Sequence, residues 1–267
     1  MKDISFLESK GVDIKSSLEL FGDAQTYNDT IGEFLVGIHS KINELIGMMN
    51  NGDMNNYAIT VHSLKSDAKY FGFTKLADIA LEHEEKSKAG DVYYITGHIN
   101  DLINETNNAI VLIQEYMNSD EAVATSNEST ESTGEVYTTK TILVVDDSNI
   151  IRNFVKRIFS DQYNVGTAQD GAEAMEILKA NKDNGLIETV LLDLNMPKVD
   201  GFAVLEFMRQ NDMLGKIPVS IISGDSSKET IDRAFTYEIV DMLEKPFTEQ
   251  NIKSVIEKTM LYRENMQ

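Results

Sequence analysis

Four of the five short apolar runs in the second half of the sequence end on residues that can do chemistry. Asp146 and Asp147 follow TILVV, Asp193 follows TVLL, Ser223 follows IPVSII and Lys245 follows IVDMLE. If these runs are parallel strands, their carboxyl ends share one edge of the sheet, where open α/β sheets bind ligands. Three carboxylates gathered there repel one another, and a hard divalent cation relieves the repulsion. Mg2+ takes carboxylate oxygens, water and phosphate, which matches this set. Strand ends are commonly polar because loops are. That accounts for one or two such residues, not for acids, a hydroxyl and a lysine on four strands.

A second candidate lies in the first half. In YAITVHSLKSDAKYF, Val61, Leu64, Ala68 and Phe71 fall on one stripe at the helical period. At ~100° per residue, His62 lies roughly 150° from the middle of that stripe, with Lys65, Ser66 and Lys69 on its own side. A core histidine would sit on the stripe, so His62 is expected to face outward. An exposed imidazole is a fair nucleophile near neutral pH, and phosphorylating it creates a dianion that Lys65 and Lys69 would stabilise. Geometry alone leaves open an ordinary surface histidine among lysines. His39, His83 and His98 lack metal-ligand spacing with one another. His83, in EHEEK, reads as a solvated helix position, and the other two as ordinary helix residues.

The elements that must position these residues differ between the halves. From 139 to 267, β-rich runs (TILVVD, YNVGTA, TVLLDL, IPVSII, IVDMLE) alternate with helical stretches, which predicts a parallel sheet with helices on its faces. Residues 1–117 return apolar side chains at three- and four-residue steps, punctuated by Gly52-Asp53, Gly72 and Gly90-Asp91, which predicts a helix bundle. Between them, residues 118–138 hold four Ser, four Thr and five acids without Lys or Arg. Such a segment buries too little apolar surface to offset its ordering entropy and reads as a solvated tether.

Two resemblances rest on specific strings. His62-Ser-Leu-Lys65-Ser66-Asp-Ala68, with Gly72-Phe and Leu76, resembles the signature of histidine-containing phosphotransfer (HPt) domains, as do GVDIKSSLELFGDAQTY and Leu81-Glu82 with Gly90-Asp91. Ser66 stands where many members have Gly. Residues 139–267 resemble a response-regulator receiver domain through Val144-Val145-Asp146-Asp147-Ser148, Leu191-Leu192-Asp193-Leu194-Asn195-Met196-Pro197, Asp200-Gly201, Ile222-Ser223-Gly224 and Lys245-Pro246-Phe247. That resemblance implies a flavodoxin-like five-stranded sheet in the order 2-1-3-4-5. It implies that Asp193 is the phosphoryl acceptor and that Asp146, Asp147, Asp193 and the Asn195 backbone carbonyl hold Mg2+. Lys245 and the Ser223 hydroxyl would neutralise phosphoryl oxygens, and Pro246 would follow a cis bond. The family usually places an aromatic three residues before the lysine; here it is Met242. Gly224 stands where Ala is commoner. The usual aromatic switch is therefore in doubt, while the transfer chemistry is expected to survive.

Composition narrows the rest. The 267 residues carry 24 basic and 44 acidic side chains, a net charge of −20, which disfavours non-specific nucleic-acid binding. Residues 1–117 account for −9 (9 Lys, 18 acids), 118–138 for −5 and 139–267 for −6 (15 basic, 21 acidic), so no basic stripe stands out. Cys is absent, which removes thiolate chemistry and disulfides. No apolar run reaches the ~18 residues of a membrane span, and MKDISFLESK carries no apolar signal segment, so a cytoplasmic protein without membrane contact is expected. No nucleotide-binding loop or kinase-like segment is present, so the chain is expected not to be an enzyme that phosphorylates histidine from ATP. The expected function is a phosphorelay intermediate between His62, Asp193 and partners: a sensor or hybrid histidine kinase and other receiver or HPt domains. The alternative is a phosphorylation-gated binding protein in which only Asp193 is modified and the bundle docks a partner.

Overall fold

The computed structural model describes residues 3–117, 136–225 and 227–266. Contacts divide the chain into two compact units, residues 1–130 and 131–267. Residues 118–135 of the predicted tether lie outside the described residues.

Among its described residues the first unit has helices and no strand, as predicted. Its elements are α1 (Ser5–Ser9), α2 (Ile14–Phe21), α3 (Ala24–Asn51), α4 (Met54–Tyr70), α5 (Thr74–Lys88) and α6 (Val92–Met117). Asp13, Asp23 and Asp53 accept the backbone N–H three residues on and start α2, α3 and α4, each cap worth about 1 kcal/mol. The core pairs Phe34 with Phe71 in a stacked contact at 4.8 Å and closes over Phe21 and Tyr27. Gly72, between α4 and α5, has a φ of +76°, and a Cβ there would lie 2.5 Å from the Asp13 carbonyl oxygen. Its own carbonyl accepts from Asp13 N at 2.9 Å, so this glycine lets the α4–α5 turn touch the start of α2.

α4 is not the one-sided amphipathic helix that its stripe suggested. It packs against α3 on one side and α5 on another. Tyr57, Ala58, Thr60, Val61, His62, Ser63, Leu64, Lys65, Asp67, Ala68 and Tyr70 are all buried. Polar side chains off the stripe are met by neighbouring helices: Lys41 of α3 donates to Ser63 Oγ at 2.6 Å and Asp67 Oδ2 at 2.5 Å.

The second unit is an α/β domain. Strands β1 (Thr141–Val145), β2 (Asn164–Ala168), β3 (Ile187–Asp193), β4 (Val219–Ser223) and β5 (Asp241–Glu244) form one parallel sheet in the order β2-β1-β3-β4-β5. Helices α7 (Asn149–Phe159), α8 (Gly171–Ala180), α9 (Gly201–Gln210), α10 (Lys228–Phe235) and α11 (Glu249–Met266) alternate with them. β1, β3 and β4 are buried along their whole length, which explains why they read as continuous apolar runs. Tyr137, placed by sequence in the tether, is only 4% exposed and packs with Leu143, Val190 and their neighbours. Its ring has the apolar area to join a core that the Ser/Thr-rich residues before it lack.

Candidate functional site

The parallel register brings the candidate residues of the second unit to one edge. Val145 pairs with Leu192, so Asp146 and Asp193 emerge side by side where β1 and β3 end. Asp193 faces Ile222, and Ser223 follows it out of β4. Lys245, one residue beyond β5, donates its backbone N–H to the Ser223 carbonyl at 2.8 Å. A cis Lys245–Pro246 bond follows it, as the resemblance implied.

One carboxylate oxygen each from Asp146, Asp147 and Asp193 lies within 4.8 Å of the others. Lys245 Nζ stands 2.7 Å from Asp146 Oδ2 and 2.7 Å from Asp193 Oδ2. Asp146, Asp193, Ser223 and Lys245 are all buried. Burial pushes the Asp146 carboxyl up to about 7, with Asp193 and Asp147 adding repulsion and Lys245 opposing. For Lys245, burial would favour the neutral amine, but Asp146, Asp193 and Asp147 outweigh it and hold the ammonium above its ordinary range. Three acids against one cation in a buried cluster leave an excess of negative charge, so this donor set fits a hard divalent ion.

The loops that close this edge are fixed by specific contacts. Asn195 N–H donates to Asp193 Oδ1 at 3.1 Å, and the half-buried Asn195 lies at the cluster's mouth. A Cβ at Gly201 would come 2.2 Å from the Asp193 carbonyl oxygen, and Gly201 N–H donates to Leu194 O at 3.1 Å. Asp200-Gly201 therefore lets α9 start directly against the end of β3. Ser223 Oγ accepts from Asp225 N at 3.1 Å. Met242 is partly buried against the sheet's core. Arg152, which sequence reasoning did not single out, donates to the Asp146 carbonyl at 2.5 Å from the first turn of α7.

In the helical unit the structure corrects two expectations. His62 does not face outward: it is 4% exposed, because α4 packs on both sides. Lys65 is buried with it, Ser66 is half-buried, and Lys69 alone of the group is exposed and makes no contact with His62 among the bonds described. His83 is not solvated either. It is fully buried between α4 and α6, with Nδ1 2.8 Å from Tyr57 Oη, and burial lowers its pKa. His39 and His98 are exposed helix residues, as expected, each using Nδ1 to reach the carbonyl four residues back.

What surrounds His62 is Glu84, a residue that the helical stripe could not reveal because it belongs to α5. Glu84 Oε1 lies 2.7 Å from His62 Nδ1, and Glu84 Oε2 accepts from Lys65 Nζ at 2.5 Å. Burial alone would push the Glu84 carboxyl up, but hydrogen bonds from His62, Lys65 and Lys88 outweigh it and hold it well below the usual range. An ionised carboxylate only accepts, so Nδ1 carries the shared proton, and in the neutral ring Nε2 is then the nitrogen with the lone pair. Lys65 Nζ, 3.3 Å from Nδ1, is then a neighbouring charge rather than a donor to the ring. His62 Nε2 is buried and makes no hydrogen bond.

Comparison with known proteins places the second unit. Residues 142–257 match the response regulator receiver domain. The chain is 31% identical over 126 residues to the probable methanogenesis regulatory protein FilR2 of Methanothrix harundinacea, covering 45% of this chain and 81% of that protein. It is 32% identical over 118 residues to chemotaxis protein CheY1 of Helicobacter pylori, covering 43% of this chain and 93% of that one. Among solved structures, chemotaxis protein CheY4 of Vibrio cholerae shares 25% identity over 45% of this chain and 98% of its own, with a TM-score of 0.41. The matched segment carries the aspartate cluster and its lysine, and through residues 142–257 this chain belongs to the receiver domains of two-component response regulators.

Proposed function

We propose that the chain is a phosphotransfer signalling protein in which Asp193 accepts a phosphoryl group from a partner phosphohistidine and His62 is a second phosphoryl carrier. The observation that carries this reading is the cluster of buried Asp146, Asp193 and Lys245 with half-buried Asp147 at the carboxyl edge of the parallel sheet. Asp193 would attack the phosphorus of the donor. The O–P bond forms as the donor's N–P bond breaks, and the departing imidazole recovers its lone pair.

Phosphoryl transfer asks for in-line positioning and charge neutralisation more than for covalent help. Lys245, already bridging Asp146 and Asp193, is placed to follow the charge onto the phosphoryl group. Ser223, whose Oγ accepts only a backbone N–H, keeps a hydroxyl proton to donate. Asp146, Asp147 and Asp193, with the Asn195 backbone carbonyl, would hold Mg2+, which when bound neutralises phosphoryl oxygens. A sensor or hybrid histidine kinase is the proposed donor, and other receiver or HPt domains the proposed exchange partners.

For the bundle, the HPt reading is supported by the Glu84–His62 hydrogen bond, which leaves Nε2 as the nucleophile and would stabilise the ring's charge during attack. The burial of Nε2 favours the second reading, in which the bundle is a docking module and only Asp193 is phosphorylated. Acetyl phosphate with Mg2+ should give an acid-stable, base-labile label that Asp193→Asn abolishes. Incubation with a phosphorylated HPt donor should add an acid-labile label that His62→Gln removes. Labelling of Asp193 that persists in EDTA overturns the metal assignment. Absence of an acid-labile label in the wild type leaves the docking reading.

A further inference from the structure

Of His62, Lys65, Glu84 and Lys88, which are bonded to one another, Lys88 is the one that reaches solvent. Glu84 Oε1 accepts from two groups at once: His62 Nδ1 at 2.7 Å and Lys88 Nζ at 2.6 Å. Lys88 lies one turn beyond Glu84 on α5, the favourable Glu-to-Lys order for a helical pair. Its side chain is 54% exposed, against 4% for Glu84, 5% for His62 and 9% for Lys65. The other charged groups near this cluster are committed elsewhere or shared: Lys65 holds Oε2, and Asp67 is engaged by Lys41 of α3.

Resting on the reading of His62 as a phosphoryl carrier, we propose that Lys88 is a positioning residue that sets the nucleophilicity of His62 by competing for Glu84 Oε1. When His62 Nε2 attacks phosphorus, the ring becomes an imidazolium whose Nδ1 proton Glu84 shares. Every bit of Oε1 electron density drawn to Lys88 is withheld from that proton. Lys65 cannot play the same part, because it is buried and bonded to the other oxygen. Lys88 can leave: it is anchored by one contact at a half-exposed position, where water or an anionic partner surface replaces Glu84 at little cost. With Lys88 withdrawn, the Nδ1–H···Oε1 bond strengthens and Nε2 gains basicity. The same change makes phosphohistidine a poorer leaving group, so Lys88 trades loading against onward transfer.

The test uses the full chain as wild type, Lys88→Gln and Lys88→Arg. The first readout is the His62 Nδ1–H resonance by NMR, which needs no phosphorylation. It should move downfield and exchange more slowly with water in Lys88→Gln, and return towards the wild-type position in Lys88→Arg. The second readout is loading by phosphoramidate, in which the Nε2–P bond forms as the P–N bond of the donor breaks and ammonia leaves. Lys88→Gln should load roughly threefold to tenfold faster, as expected of a more basic nucleophile. An Nδ1–H resonance unchanged in Lys88→Gln overturns the proposal. A shifted resonance with no acid-labile label on any of the three chains supports the role of Lys88 in tuning the hydrogen bond and overturns the carrier reading of His62 instead.

Discussion

Lys245 is the residue on which the aspartate cluster depends electrostatically. It is the one lysine among three acids, and both of its close partners are buried. Lys245→Met leaves Asp146 and Asp193 buried without their counter-charge, a change that typically costs about 3–5 kcal/mol. Urea denaturation should show that loss in metal-free buffer. Added Mg2+ should restore more stability to the variant than to the wild type, because a ligand that binds only the folded state stabilises by mass action. Equal Mg2+ stabilisation of both chains would count against the cluster as the metal site. A steric counterpart is Gly201→Ala, whose Cβ would sit 2.2 Å from the Asp193 carbonyl. The neighbour is backbone and cannot rotate away, so a loss of about 1–3 kcal/mol is expected together with slower labelling of Asp193. Normal stability and normal labelling would show that the β3–α9 junction yields more than its packing implies.

At the scale of elements, the sandwiching of α5 between α4 and α6 has a consequence for pH. His83 is fully buried and held neutral, with burial lowering its pKa below the ordinary 6.5. Below pH 6.5 the unfolded chain binds a proton that the folded bundle refuses, so stability falls as pH falls, at most about 1.4 kcal/mol per pH unit. Glu84, with its pKa lowered, adds a separate loss only below its ordinary 4.5. Following α4 and α5 amides through urea titrations from pH 7.5 to 5 should reveal the first slope, and His83→Gln should flatten it. A slope that persists in His83→Gln assigns it to another group. β5 raises a different question. Met242 packs partly buried against the sheet where receivers usually carry an aromatic, and a flexible thioether lacks two discrete ring positions. Beryllofluoride should therefore shift amides of β4, β5 and α10 less in the wild type than in Met242→Tyr. Equal or larger wild-type shifts would refute this.

For the whole molecule the question is whether one chain passes a phosphoryl group between its own units. Both halves are acidic, at −9 for residues 1–117 and −6 for residues 139–267, so any attraction between them has to come from exposed local charge such as Lys69 and Lys88. Transfer within a chain is expected to be salt-sensitive and to compete with transfer to separate partners. Wild type labelled on His62 should lose phosphohistidine at a rate independent of dilution. A labelled Asp193→Asn chain mixed with a His62→Gln chain should exchange more slowly. If neither wild type nor mixture moves label between His62 and Asp193, the two sites serve different partners. No helix among the described residues is long and apolar enough to cross a membrane.

The sequence by itself determined the α/β unit almost completely. β1, β3 and β4 are buried on both faces and read as plain apolar runs, and parallel register alone brings the strands' last residues together. Asp146, Asp147, Asp193, Ser223 and Lys245 were legible for that reason, and the strand order and cis Lys245–Pro246 bond followed from resemblance to the receiver family. The helical unit was legible in its elements but not in its faces. A helical stripe reports one buried side, whereas α4 packs against both α3 and α5 and uses polar groups to do so. His62 and His83 were accordingly placed in solvent and are buried, and Glu84 and Lys88, some two dozen residues away, went unnoticed as partners of His62. Only tertiary structure could decide this. A buried charge is tolerated where a partner meets it, and that partner comes from another helix at a distance along the chain that no local period encodes.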